Sequence, residues 1–122
     1  MSIALSEKLQ KFLEENKQYH YDMTLELAQI PAPSNDEGLR ADYIKNWLEN
    51  EGAEGVYIDD ALNVVYPIGN TDGDLYVFMA HSDVVFPDKT PLPLEIKDER
   101  IYCPGVGDDT AHAVALLMAA KY

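Results

Sequence analysis

The sequence has one cysteine, few basic residues and no long hydrophobic run. The single cysteine, Cys103, excludes an internal disulfide framework and favours a reducing compartment. No apolar run approaches the length of a membrane-spanning helix, and Met1 is not followed by the cationic and apolar regions of a signal peptide. The sequence therefore predicts a cytoplasmic protein without a membrane partner.

Positive charge is scarce as well. The 9 lysines and arginines stand against 22 aspartates and glutamates, which gives a formal net charge of −13. Such a charge repels phosphate groups, so nucleic acid is not an expected partner. With 122 residues, 47% of them hydrophobic, the chain is long and apolar enough for one domain with a modest core.

Apolar residues spaced three and four apart predict two helices in the first half of the chain. The first covers residues 6 to about 30, with a break near residues 16–21 as an alternative, and it ends at the prolines of segment 31–33. Ser34 and Glu37 have the spacing of a capping box, so Ser34 is the expected N-cap of a helix that runs to about Glu51. Four of its residues are expected to face inward: Leu39, Tyr43, Trp47 and Leu48.

Short strands are predicted in the second half. Segments 55–58 and 61–68 are two candidates, and segments 94–96 and 100–102 look like a small hairpin. Residues 75–80 form a continuous apolar run, which is typical of a strand buried on both faces. Together with the helices, these segments predict an α/β fold: a partial mixed sheet flanked by helices.

A third predicted helix, residues 111–122, is strongly apolar, with Val114, Leu117 and Met118 on one face. The most buried strand and the most apolar helix thus lie near the end of the chain, and apolar faces need partners. We therefore expect residues 1–122 to be a truncated, N-terminal portion of a larger domain. A small complete domain that ends in a docked helix is the alternative.

A histidine and a carboxylate lie where the predicted buried strand ends. His81 and Asp83 are two positions apart, so on a regular strand their side chains lie on the same face. If one ring nitrogen of His81 binds a metal, Asp83 can accept a hydrogen bond from the other, which fixes the tautomer. Taken alone, the segment is more typical of a surface turn at a strand end than of a metal site.

A second pair of carboxylates, Asp108 and Asp109, follows a glycine-rich turn and precedes the last predicted helix. Helix capping is the structural alternative for them, because the helix dipole favours negative charge there. Combined with a remote His-x-Asp, however, they make a better metal cluster than either motif alone. One such carboxylate can bridge two ions.

Two more residues are candidates for the same site. His112 lies one helical turn after Asp108 and is a candidate extra ligand or substrate contact, although helix starts often face solvent. Cys103 is a candidate soft ligand, although a lone cysteine near a strand end is more often packing.

Other kinds of site do not match the sequence. Gly105-Val106-Gly107 lacks the third glycine of a dinucleotide turn and the Gly-Lys-Ser/Thr of a phosphate loop. Asp72-Gly73-Asp74 lacks the terminal glutamate of a calcium loop, and Ser82 lacks the glycine elbow of a serine hydrolase.

Three segments resemble motifs of one enzyme family. Residues 30–37 resemble an Ile-Pro-Ser-x-Ser-x-x-Glu helix opening, residues 80–85 a Gly-His-x-Asp-Val-Val-Pro strand end, and residues 104–109 a Gly-x-Gly-x-x-Asp-Asp turn. These are motifs of the dinuclear zinc hydrolases that include carboxypeptidase G, aminoacylase, acetylornithine deacetylase, succinyl-diaminopimelate desuccinylase and tripeptide aminopeptidase. The resemblance covers most of the chain from about Leu25.

The resemblance implies a role for each site residue. His81 would ligate one Zn²⁺, Asp108 would bridge two, Asp83 would orient His81, and Asp109 would follow across a strained peptide. Co²⁺ or Mn²⁺ are alternative ions. In the intact enzyme a zinc-bridging water would attack the amide carbonyl of a small peptide or an N-acyl amino acid, which makes the chain the leading part of a zinc-exopeptidase catalytic domain.

The sequence also departs from the family pattern. Val106 stands where the family usually has arginine, and Thr110-Ala111 where it has Lys-Gly, so substrate preference stays open between peptidase and deacylase. The family's general-base glutamate, its other zinc ligands and its lid and dimerisation domain all come after the position of Asp108, and this chain contains none of them.

We therefore expect a metal-dependent amide hydrolase in the full-length protein, and an isolated chain that binds zinc weakly and is inactive. The alternative is a non-catalytic fragment or truncated gene product that acts as an association module. An exposed apolar helix at residues 111–122 would favour a homo-oligomer.

Overall fold

The computed structural model describes residues 4–122, which form three α-helices and two small hairpins. The elements in chain order are α1 (Glu7–Gln29), α2 (Gly38–Asn50), β1 (Tyr57–Ile58), β2 (Val64–Val65), β3 (Glu95–Lys97), β4 (Arg100–Tyr102) and α3 (Ala111–Lys121). β1 pairs with β2 and β3 with β4, both antiparallel. The mixture of helices and strands is confirmed. The expected partial mixed sheet is not formed within the described range, where each hairpin is a separate sheet.

Helix α1 begins at a serine cap and continues without a break to Gln29. The Ser6 hydroxyl accepts a hydrogen bond from the Leu9 amide at 3.2 Å, which satisfies a donor that the helix start would leave free. Ile30 is extended and Pro31 follows it, so the helix ends where the sequence predicts.

The core lies between the C-terminal half of α1 and the inner faces of α2 and α3. Its buried members are Met23, Leu27, Ile44, Trp47, Leu48, Val56, Val114, Leu117 and Met118. The indole nitrogen of Trp47 donates to the Tyr19 hydroxyl at 2.7 Å, so its polar group is satisfied next to the core.

Two predictions about the start of α2 are wrong. Leu39 is 61% exposed, and the buried residue on that turn of the helix is Arg40. Ser34 does not cap the helix, whose N-cap is Glu37 without a side-chain bond. The Glu37 carboxylate instead accepts the Asn35 amide at 2.6 Å, because the chain turns sharply at Asn35, where φ is 67°.

The prediction of a buried strand at residues 75–80 is also wrong. Residues 75–79 are between 61% and 91% exposed, and they belong to none of the strands described. A strand buried on both faces needs paired edges and a layer of structure on each side. Nothing else within residues 4–122 covers this segment, so its hydrophobicity alone does not bury it.

Helix α3 buries one apolar face against the core, while its outward side carries the exposed Ala115, Ala119 and Ala120. Val114, Leu117 and Met118 are buried, as their spacing predicts, while Ala115 is exposed. Within residues 4–122, no helix combines the length and the apolar content needed to cross a bilayer.

The helical core predicts that two leucines of α1 contribute differently to the free energy of unfolding. Leu27 is 1% exposed and Leu13 is 48% exposed. We expect Leu27→Ala to lower the free energy of unfolding by about 2–5 kcal/mol, because it leaves a cavity between the helices. Leu13→Ala should change it by less than about 1 kcal/mol. Urea unfolding followed by Trp47 fluorescence measures both, and equal losses would contradict this packing.

Candidate metal centre

Two segments that are distant in sequence meet at the candidate site. The first runs through His81 to Val84 and is anchored to the α1–α2 connection: the Val84 amide donates to the Ala32 carbonyl at 2.8 Å, and Val84 forms a parallel bridge with Pro33. The second is the turn of residues 104–110, which precedes α3 and lies against Val84.

The close approach of the two segments requires glycine at position 105. Gly105 has φ of 71°, in the left-handed region that side chains disfavour. A Cβ atom there would lie 2.3 Å from Cγ1 of Val84. Gly107, by contrast, has open space where a Cβ would be.

The imidazole of His81 lies between two carboxylates. Its Nε2 is 3.0 Å from Oδ1 of Asp108, and its Nδ1 is 3.0 Å from Oδ1 of Asp83. The hydrogen bond to Asp108 raises the pKa of His81, although partial desolvation opposes it. The structure thus brings together the residues that the sequence indicates, with one carboxylate on each ring nitrogen.

Asp83 has a second partner that the sequence does not indicate. The Ser34 hydroxyl donates to Oδ2 of Asp83 at 2.5 Å, and this bond lowers the pKa of Asp83, with the charge of His81 contributing less. Ser34 and Asp83 are 49 positions apart, so no local spacing could have revealed the contact. Ser34 therefore extends a chain of hydrogen bonds through Asp83 to His81.

Asp109 and His112 lie beside this pair. Oδ2 of Asp109 accepts the backbone amide of His81 at 3.2 Å, and its Oδ1 contacts Nδ1 of His112. The peptide bond between Asp108 and Asp109 is cis. Asp109 thus connects the two segments, and His112 is placed next to Asp109.

Cys103 does not point toward the histidine. Its thiol donates to the Ala28 carbonyl at 3.3 Å, on the α1 side of the turn. Burial raises the pKa of the Cys103 thiol, and the positive charge of Arg40 only partly offsets this effect. Cys103 therefore packs against α1, which is the alternative that the sequence left open.

The donor atoms suit zinc, but they are few. Two ligands about 2.0–2.1 Å from a tetrahedral Zn²⁺ are separated by roughly 3.3 Å, close to the 3.0 Å between Nε2 of His81 and Oδ1 of Asp108. The Asp108 side chain is 91% exposed and free to make that adjustment. Across residues 4–122, however, no group of three or more histidines, cysteines, aspartates and glutamates is arranged to hold a metal ion.

A comparison of the chain with models of known protein families finds no match. The assignment of a function therefore depends on the motifs and on the geometry described above.

The glycine contacts predict different effects at positions 105 and 107. We expect Gly105→Ala to lower the free energy of unfolding by about 2–4 kcal/mol, because it combines an unfavourable φ with a clash against Val84. Gly107→Ala should be within about 1 kcal/mol of the unmodified chain. Urea denaturation measures both, and a tolerated Gly105→Ala would contradict the close approach of the segments.

The raised pKa of Cys103 predicts a slow reaction with alkylating reagents. The thiolate is the nucleophile, so a folded chain with a raised thiol pKa contains less thiolate than the unfolded chain at pH 8 to 9. We expect iodoacetamide to modify the folded chain more slowly than the unfolded chain. The pH at which the rate begins to rise should be higher for the folded chain. Mass spectrometry of folded and urea-unfolded samples makes the comparison, and faster modification of the folded chain would refute it.

Proposed function

We propose that this chain carries part of the metal centre of a zinc-dependent amide hydrolase, in the family of carboxypeptidase G, aminoacylase and acetylornithine deacetylase. The observation that carries the proposal is the meeting of His81 and Asp108, from segments 27 positions apart, with their donor atoms 3.0 Å from each other. Imidazole and carboxylate are ligands that zinc prefers.

The surroundings of His81 support its role as a ligand. Oδ1 of Asp83 is placed to accept a hydrogen bond from Nδ1 of His81. In a neutral imidazole this bond leaves the lone pair on Nε2, the nitrogen that faces Asp108. Ser34 holds Asp83 in place through its other oxygen. Ligating histidines are commonly held by a carboxylate in this way.

Asp108 is the residue suited to bridging. One of its oxygens faces His81, and the side chain is otherwise exposed, so its second oxygen is accessible to a second ion. When bound, the ions would polarise an amide carbonyl and lower the pKa of water, which supplies a hydroxide nucleophile at neutral pH. The substrates of this proposal are small peptides or N-acyl amino acids, and the compartment is the cytoplasm.

The general base and the remaining ligands are assigned by the family resemblance to residues after Asp108, outside this chain. His81 and Asp108 alone are two ligands, fewer than a zinc site normally has. The amide hydrolase activity is therefore proposed for the full-length protein, and this chain by itself is expected to be inactive.

A non-catalytic association module remains the second candidate function. The observation that favours it is the exposed apolar segment of residues 75–79, because such surfaces often mark contacts with other chains. Sedimentation equilibrium combined with zinc titration separates the two candidates: a stable oligomer that binds no zinc supports the module, and a zinc-binding monomer supports the metal centre.

Zinc titration tests the proposed ligands. Four protein ligands supply about 10–16 kcal/mol in small zinc domains, so two should give a dissociation constant on the order of 10 µM or weaker. We expect calorimetry of the chain at neutral pH to detect such binding and His81→Ala to abolish it. His20→Ala is the matched control, because His20 lies on α1 outside the site.

Three outcomes would contradict the proposal. Equal zinc affinity of the His81→Ala and His20→Ala variants would remove His81 from the ligands. Tight binding of two ions by the isolated chain would show that the ligand set is larger than proposed. In the full-length protein, undiminished amidase activity of His81→Ala would also contradict it.

A further inference from the structure

Arg40 is a buried cation that connects the end of α1 to both segments of the candidate site. It is only 1% exposed, and its guanidinium makes four hydrogen bonds. Two reach the end of α1, at the carbonyls of Ile30 (2.8 Å) and Ala28 (3.2 Å). The other two reach the carbonyl of Ser82 (3.1 Å) and the hydroxyl of Thr110 (2.9 Å).

The last two acceptors are adjacent to the candidate ligands. Ser82 lies between His81 and Asp83, and Thr110 follows Asp109 directly. Both bonds come from the same nitrogen, Nη1, so one atom joins the backbone of the first site segment to a side chain of the second. Because the guanidinium is planar and rigid, it fixes the distance between its acceptors more closely than a lysine would.

The other polar links between the two segments are exposed to solvent. The His81 amide bonds Asp109, and the His81 ring bonds Asp108, both at exposed positions where water competes. The bond between Arg40 and Thr110 is buried, and a lost partner there would leave a buried polar group unsatisfied. The buried bond is therefore the stronger constraint on how far apart the segments lie.

We propose that Arg40 is a positioning residue, which holds the segment of His81 and Asp83 against the turn of Asp108 and Asp109 at the separation that a shared metal ion needs. The metal part of this proposal rests on the proposed function. Arg40 itself is too deeply buried to touch a substrate, and it acts through Ser82 and Thr110.

The test removes one hydrogen-bond acceptor of Arg40 and leaves the volume of the side chain at position 110 almost unchanged. Thr110→Val deprives Arg40 of the hydroxyl, and Thr110→Ser restores it. Thr24→Val is the matched control, because Thr24 is also buried and its hydroxyl donates within α1, to the His20 carbonyl at 2.9 Å. Should Thr110→Val fail to fold, Thr110→Ala leaves room for a water in place of the hydroxyl and serves the same purpose.

Two measurements are made on each folded variant. Calorimetric zinc titration should give about tenfold weaker binding for Thr110→Val, with Thr110→Ser within about threefold of the unmodified chain and Thr24→Val unchanged. Hydrogen exchange of the His81 amide is followed by NMR without metal. It should be about tenfold faster in Thr110→Val than in the unmodified chain and unchanged in the other two variants, because Asp109 is no longer held in place to accept the hydrogen bond of that amide.

Each outcome decides the proposal. Unchanged zinc affinity and unchanged His81 exchange in Thr110→Val would overturn it, and so would equal losses in Thr24→Val, which would indicate only a general loss of stability. If the unmodified chain binds no zinc, the proposed function fails. The exchange rate of the His81 amide then decides alone whether Arg40 positions the two segments.

Discussion

The arrangement of this protein depends on one buried guanidinium. Helix α1 has no basic residue in its last turn, and Arg40 of α2 supplies the positive charge that its C-terminal carbonyls favour. Burial lowers the pKa of Arg40, while the negative charge of Asp83 opposes this shift. A buried charge is costly, and an apolar residue of similar volume often stabilises a core better. The hydrogen bonds of Arg40 to several segments offset part of that cost.

The candidate site gathers negative charge in front of this cation. Asp83 and Asp108 contact the imidazole of His81, and Asp109 accepts its backbone amide, in a chain whose net charge is −13. The raised pKa of His81 favours the imidazolium form, which donates one N–H to Asp83 and the other to Asp108. A divalent cation would neutralise the same carboxylates more fully, and the surrounding field would attract it.

Local patterns in the sequence predict the helices and hairpins, because apolar spacing and prolines act within a few residues of each other. They also indicate His81, Asp83 and Asp108, since those motifs are short. The contact of Ser34 with Asp83 could not be predicted, because it depends on how distant segments meet. Arg40 was missed although it lies four positions before Ile44, on the buried stripe of α2. A charged residue on such a stripe indicates an internal set of acceptors, which only the fold identifies. The family role of each site residue stays a prediction.

The exposed segment of residues 75–79 has a consequence for handling the protein in solution. Leu75 to Met79 are uncharged, rich in aromatic and β-branched residues, and free of proline and glycine, which is the composition of strands that pair between chains. Asp72 and Asp74 flank the segment on one side, and the high net charge keeps molecules apart at low ionic strength. Added salt screens this repulsion over distances beyond about 10 Å. Concentrated, salty solutions therefore weaken the main barrier to intermolecular β-pairing, and dilute buffers of low salt keep that barrier in place.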